Sequence, residues 1–264
     1  MNMKAWFSTA ILSTLLTPLA MAQVSGTVKL DGKTPAMKKI DMSAVPDCAK
    51  MHDKPIYEEM VVVGPAGGLA NAVVSIKKAE GQTLPGDDTP SKTPGTFDQK
   101  GCQYLPHVVA VQVGQPIVVK NSDSLLHNVH TQPDTNAPDN IAQPFIDPGK
   151  KLKVPTDPEY FHIKCDIHPW MSAWVAVINN KFFAVTDKDG KYELPKDLPD
   201  GKYTLHVWHE KYGEQDQNIT VKDGKATGDF SYKSDAAGMN VKGQPLAQAC
   251  YNVPAGKVSL VAAK

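Results

Sequence analysis

Residues 160–178 read YFHIKCDIHPWMSAWVAVI. β-branched and aromatic residues crowd the two ends, YFHIKC and WVAVI, and a polar, proline-bearing stretch separates them. Runs of that composition on either side of a breaker are strands. In the first, a period of two puts Phe161, Ile163 and Cys165 on one face, the expected core face. Pro169 has no backbone N–H to offer a ladder. The stretch is therefore strand, loop, strand, with a thiol where the first strand ends.

The same pattern extends outward. Residues 24–30 (VSGTVKL) alternate and stop at Asp31-Gly32, and residues 72–76 (AVVSI) are β-branched. VVAVQV and IVV flank Gly114, an expected tight turn. In FFAVTDKDGKYELP, Asp189-Gly190 lies between two strand-like runs, a hairpin signal. KYTLHVWHE alternates again. No long stretch has a 3.6-residue period, and 21 prolines and 19 glycines suit a chain of many turns. The expected fold class is all-β, of sandwich type.

Residues 1–22 carry one early cation, Lys4, then an apolar run, then Ala20-Met21-Ala22, a small-x-small cleavage pattern. They predict a secretory signal peptide cut after Ala22. Its apolar core is short for a membrane span, and no later run is long enough, so no integral membrane segment is expected after cleavage. The expected location is periplasmic or otherwise exported. The chain has 264 residues with 28 basic against 28 acidic, and every basic residue is lysine. A balanced charge without arginine argues against a nucleic-acid function.

Cys165, His168 and Met171 stand at positions 1, 4 and 7 of the loop. Thiolate and thioether are soft donors and imidazole is borderline, a set suited to copper. One Cys, two His and a weak axial Met form the trigonal electron-transfer arrangement. The second histidine must come from elsewhere, and NSDSLLHNVH, residues 121–130, offers His127 and His130.

These motifs resemble the cupredoxins. Asn121 followed by His127-Asn128, then CDIHPWM, is similar to the upstream Asn…His-Asn and downstream Cys-x-x-His-Pro-x-Met of the amicyanin-type ligand loop. The resemblance implies a Greek-key cupredoxin β-sandwich with one type 1 copper centre held by His127, Cys165, His168 and Met171, and it places His130 on the strand beyond the ligand. It implies that Asn121 ties the two ligand loops together, that Pro169 leaves the thiolate one N–H donor fewer, and that His168 and Trp170 form an exposed electron port. Lys164 and Asp166 flank Cys165, so the His-Cys-His segment of a multicopper oxidase is missing.

Four cysteines remain to be paired in an exported chain: Cys48, Cys102, Cys165 and Cys250. If Cys165 is a ligand, one pair and an odd thiol are left. Cys48 and His52 with Cys102 and His107 fit either a Cys₂His₂ zinc site or a Cys48–Cys102 disulfide, and export with irregular spacing favours the disulfide. TDKDGKYELP followed by LPDGKYTLHVWH resembles the regulatory-like, or prealbumin-like, β-sandwich found beside carboxypeptidases, a structural or binding module. GTVKLDGKTP and LANAVVSIKKA resemble its opening strands, so one sandwich made from both ends of the chain is an option. His206, His209 and Glu210 read either as a metal cluster or, as expected here, as strand residues on a solvated face or edge.

The expected organisation is a signal peptide (1–22), an N-terminal β segment (23–80) open to membership of the regulatory-like sandwich, a Pro/Gly-rich linker (81–99), a copper module (100–179), a regulatory-like sandwich (180–233) and a tail (234–264). The expected function is single-electron carriage for a redox protein partner, with no substrate transformed and hence no enzyme. The rival is a cell-envelope module that binds carbohydrate or protein and in which copper is structural or carried. Copper storage would favour dense Met- and His-rich runs, which the chain lacks.

Overall fold

The computed structural model describes residues 23–235. The expected signal peptide, Cys250 and nearly all of the tail lie outside the described residues. Apart from one four-residue helix, Pro46–Ala49, the regular structure described is β.

Four sheets stack as layers. In the first, Val24–Asp31 pairs antiparallel with Lys191–Glu193 and parallel with Ala226–Thr227 and Phe230–Lys233. The second runs Phe183–Val185, Val73–Lys77, Gly201–His209, Gly213–Val221. The third runs Val108–Gln112, Ser172–Ile178, Glu159–Lys164, His127–Gln132, Asn140–Gln143, and the fourth Tyr104–Leu105, Gly95–Gln99, Ile117–Asn121, Asp147–Lys151.

Side-chain alternation explains the stacking. Val74, Ile76, Leu205 and Val207 face a core shared with Val24, Val28 and Leu30, which closes the first two sheets into one sandwich. Phe161, Ile163, Cys165, Val175 and Val177 face a second core with Phe97, Ile117 and Val119, closing the third and fourth sheets. The opposite faces of the inner sheets meet as well: Val73 and Trp208 pack with Val108, Ala176 and Ile178. Strands buried on both faces need apolar residues at odd and even positions, which is why VVAV and WVAVI are nearly continuous. One sandwich is thus built from both ends of the chain, and the sandwich that carries the Cys165 loop is inserted between them.

Aromatic rings seal the join. Tyr160 stacks on Trp208 with centroids 4.5 Å apart, and Trp174 lies 5.3 Å from Trp208. We expect Trp208→Ala to destabilise the protein by about 3–5 kcal/mol, the usual cost of emptying a buried tryptophan site, and to split chemical denaturation into two transitions. A single transition at an unchanged midpoint would show that the ring contributes little to the join.

Three expectations are corrected. The linker does not reach residue 99: Gly95–Gln99 is a strand of the fourth sheet, and its Phe97 is wholly buried. The Asp189-Gly190 turn is not a hairpin. The strands on its two sides enter different sheets, because Gly190 closes on the first sheet, accepting from the Val28 N–H at 2.8 Å with φ at +74°. The N-terminal β segment is divided. Residues 24–31 and 73–77 belong to the sandwich made from both ends, whereas Ile40, Met42 and Cys48 lie in the core that holds Cys165. This intervening segment folds on itself through an Ile40 N–H to Ile56 carbonyl bond of 3.0 Å and a Lys39–Tyr57 bridge.

Candidate metal centre

The loop 165–171 closes at both ends. The Cys165 N–H donates to the Met171 carbonyl at 3.3 Å, and the Met171 N–H to the His168 carbonyl at 2.9 Å. The turn follows from the antiparallel ladder around it, whose last pair is Lys164 with Ser172. His127 begins the neighbouring strand, which pairs with Glu159–Lys164, and so reaches the same end of the third sheet.

The ligand-atom positions of His127, Cys165 and His168 lie within 4.8 Å of one another. The Nδ1 atoms of the two histidines are 3.0 Å apart, and Cys165 Sγ is 3.7 Å from His168 Nδ1. A first-row ion binds such donors at about 2.0–2.3 Å, so one ion can touch both members of each pair. The donor set, one thiolate and two imidazoles, is the one expected for copper. Met171 sits at the end of the same loop and is 1% exposed, in the same core as Cys165.

Two outer contacts organise the donors. The Asp123 carboxylate accepts from His127 Nε2–H at 2.9 Å and from the Gly101 and Cys102 N–H groups at 2.8 Å each. That bond holds the proton on Nε2 and leaves Nδ1 facing Cys165 and His168. Asn128 spans the two ligand segments. Its Oδ1 accepts from the Asp166 N–H at 2.7 Å and from the Cys165 thiol at 3.4 Å, and its Nδ2 donates to the Asp166 carboxylate at 3.0 Å.

Burial works against ionising Cys165, but hydrogen bonds with the His127 and His168 side chains, and with backbone at Asn128 and His168, bring its thiol down to about 6. Burial likewise opposes charge on His127, while Asp123 and Cys165 raise it above the ordinary imidazole value. The site therefore favours a thiolate, the form of cysteine that binds metal.

The resemblance misplaced two roles. Asn121 does not reach the Cys165 loop: its side chain donates to the Leu125 and Gln143 carbonyls, both at 3.0 Å, and accepts from the Asp123 N–H. Its position at the end of a strand of the fourth sheet aims it at its own turn, and Asn128, on the strand beside Cys165, makes the tie. The exposed port is also corrected. His168 is 3% exposed. The His127 and Trp170 rings lie 4.7 and 5.3 Å from it, and sulfurs of Cys48 and Cys102 lie within 4.8 Å of a ring nitrogen. Trp170 is half-buried, with Nε1–H donating to the Cys102 carbonyl at 3.0 Å. Pro169 is exposed at the tip of the loop.

Cys48 and Cys102 form a disulfide, and Cys165 is free. His52 Nε2 bonds to the Gly101 carbonyl at 2.8 Å. His107 pairs with Glu210, and the other Glu210 oxygen accepts from Trp174 Nε1–H at 2.8 Å. His130 bonds to Asp166 at 2.9 Å. His206, His209 and Glu210 are not on a solvated face. All three are buried: His206 and Glu210 face Tyr160, Trp174 and His107 across the join between sandwiches, and His209 packs against Tyr212 and Tyr232 of the first core. Asp123, Asn128 and Glu210 were missed as organising residues. Asp123 and Asn128 stood inside the upstream motif, but only the folded pairing reveals what they face.

No protein-family model matches the chain, and no curated protein is matched. Solved structures with partial similarity include a Cu-containing nitrite reductase from Thermus scotoductus (21% identity, 37% of this chain and 27% of that one, TM-score 0.28). Amicyanin from Paracoccus versutus is another (14% identity, 40% and 97%, TM-score 0.30). A third is a purple cupredoxin from Nitrosopumilus maritimus (19% identity, 32% and 99%, TM-score 0.26). The chain spans about a quarter of the nitrite reductase. The structural neighbours are thus cupredoxins and a copper enzyme, matched over a third or so of the chain, and the chemistry of the site stands on its own donors.

Proposed function

We propose that the protein is an exported one-electron carrier with a single type 1 copper centre. The observation that carries this reading is the buried convergence of His127, Cys165 and His168 beside Met171, with the thiolate form of Cys165 favoured. Bound copper would supply a one-electron couple and an intense thiolate-to-metal absorption. The chain's part is to hold the donors still. Asp123 fixes His127, Asn128 fixes the start of the Cys165 loop, and two backbone bonds close that loop, so little has to move when the charge changes. No substrate is transformed in this reading, and the partner is a redox protein. The sandwich made from both ends, with its sequence likeness to regulatory-like domains, is a rigid mount.

Copper titration of the mature protein tests the proposal. One equivalent should produce an intense visible band that bleaches on reduction and returns on oxidation. The second reading, structural copper, draws on the burial of His168, which removes the usual exposed imidazole. It predicts the band without reversible bleaching at accessible potentials.

Met171→Gln should keep the copper and shift the potential, because a weak thioether donor would tune the couple more than it holds the ion. Voltammetry of the two proteins at matched loading checks this. Identical potentials and spectra would remove Met171 from the centre.

A further inference from the structure

All four candidate ligands are 3% exposed or less. An ion that reaches them needs a path, and the loop tip does not provide one, since the disulfide, Trp170 and His127 enclose the His168 ring. One cleft does extend to the site. It runs between the disulfide-tethered segment, residues 38–60, and the Cys165 loop, and Cys165 and Met171 form part of its wall. Exposed residues Lys38, Tyr57 and Asp166 stand at its mouth, while Tyr104, His107 and His162 are buried along it.

We infer that this cleft is the loading channel for copper, and that the ion travels along it in the soft cuprous form to Cys165 and Met171. The inference rests on the copper reading above. Size agrees: about 390 Å³ holds a dozen or so waters at about 30 Å³ each, enough for a partly hydrated ion. The chemistry of the walls agrees too. Met60 lines the cleft, and so do Cys165 and Met171 of the candidate site; thioether and thiolate groups are the kinds of donor that favour the cuprous ion. Several nitrogen and carboxylate groups along the path have partners of their own. His162 bonds to Gln132 at 2.9 Å and Ser172 at 2.8 Å, His107 pairs with Glu210, Glu58 with Lys38 at 2.9 Å, and Asp166 with Lys164 at 3.0 Å. They make a polar wall that can pass an ion on without trapping it.

The test has a metal-free arm and a loading arm, both on the full mature protein. In the first, iodoacetamide labels the apo protein, and peptide mapping follows the alkylation of Cys165 separately from Cys250. In the second, cuprous bicinchoninate donates the ion, and loss of the chelate's colour gives the transfer rate. Met60→Trp and Gln103→Trp narrow the cleft. Phe145→Trp adds bulk at an exposed site that does not line it. We expect both cleft variants to slow alkylation and transfer by about tenfold or more, a single decade of rate, with final copper content and spectrum unchanged. Phe145→Trp should match the parent in both arms. Unchanged rates in both cleft variants, with circular dichroism showing them folded, would overturn the channel, as would slowing by Phe145→Trp alone. Failure of the parent to take copper at all would instead remove the metal centre, and the alkylation arm would still report whether the cleft is the way in to Cys165.

Discussion

Cys165→Ser should abolish the visible band and weaken copper binding by more than about a hundredfold, beyond the 10–100-fold that loss of an outer partner costs. Serine differs by one atom, so the loop can keep its shape. The hydroxyl can still donate to Asn128 Oδ1, and the two backbone bonds that close the loop do not involve the side chain. What disappears is the soft anionic donor. The thiol ionises near 6 in this setting, whereas a serine hydroxyl stays neutral and is a poor ligand for a soft ion. Chelator competition gives the affinity, absorption gives the band, and a thermal midpoint within a few degrees of the parent checks that the fold survives. A variant that remained intensely coloured would show that another residue supplies the thiolate-like transition, and His127 and His168 would then need a different third partner.

The sequence carried the local pieces of this arrangement and little of their meeting. Strand, loop and strand were readable in residues 160–178 because composition and period two are local properties, and the placing of Phe161, Ile163 and Cys165 on one core face follows from the same period. The disulfide followed from compartment and arithmetic. The failures are non-local. Asn121 and Asn128 have the same chemistry, and only the pairing of His127–Gln132 with Glu159–Lys164 decides which faces the Cys165 loop. Gly95–Gln99 read as linker because it holds Gly, Thr, Asp and Gln, yet a parallel partner strand and one buried Phe97 suffice to make it part of a sheet. His206 and Glu210 looked solvated because polar residues on an alternating strand normally are, and nothing local reveals that a second sandwich covers them.

The burial of His168 has the same origin. An exposed imidazole was expected from a loop motif, but part of its cover comes from the distant segment around Cys48, brought in by the Cys48–Cys102 bond.

Removing that bond by Cys48→Ala with Cys102→Ala should therefore change both stability and the character of the site. The two cysteines are 54 residues apart in sequence. Closing a loop of that length restricts the unfolded chain enough to be worth about 4 kcal/mol in the entropic model. The midpoint of chemical denaturation should fall accordingly. The site should respond for a separate reason. Cys102 is held by Asp123 through its N–H and holds Trp170 through its carbonyl, while the disulfide sulfurs lie close to the His168 ring. Without the bond, the segment from Lys38 to Met60 depends on its own bridge and the packing of Ile40 and Met42. It should open more often and uncover His168. Hydrogen exchange should speed up in residues 38–60 and leave the strands Glu159–Lys164 and Ser172–Ile178 protected. Electron self-exchange of the copper-loaded variant should become faster than the parent's, since an imidazole at the surface shortens the path between two copies. If stability falls while exchange in residues 38–60 and the electron rate stay at parent values, the bond contributes only chain entropy, and packing alone keeps His168 covered.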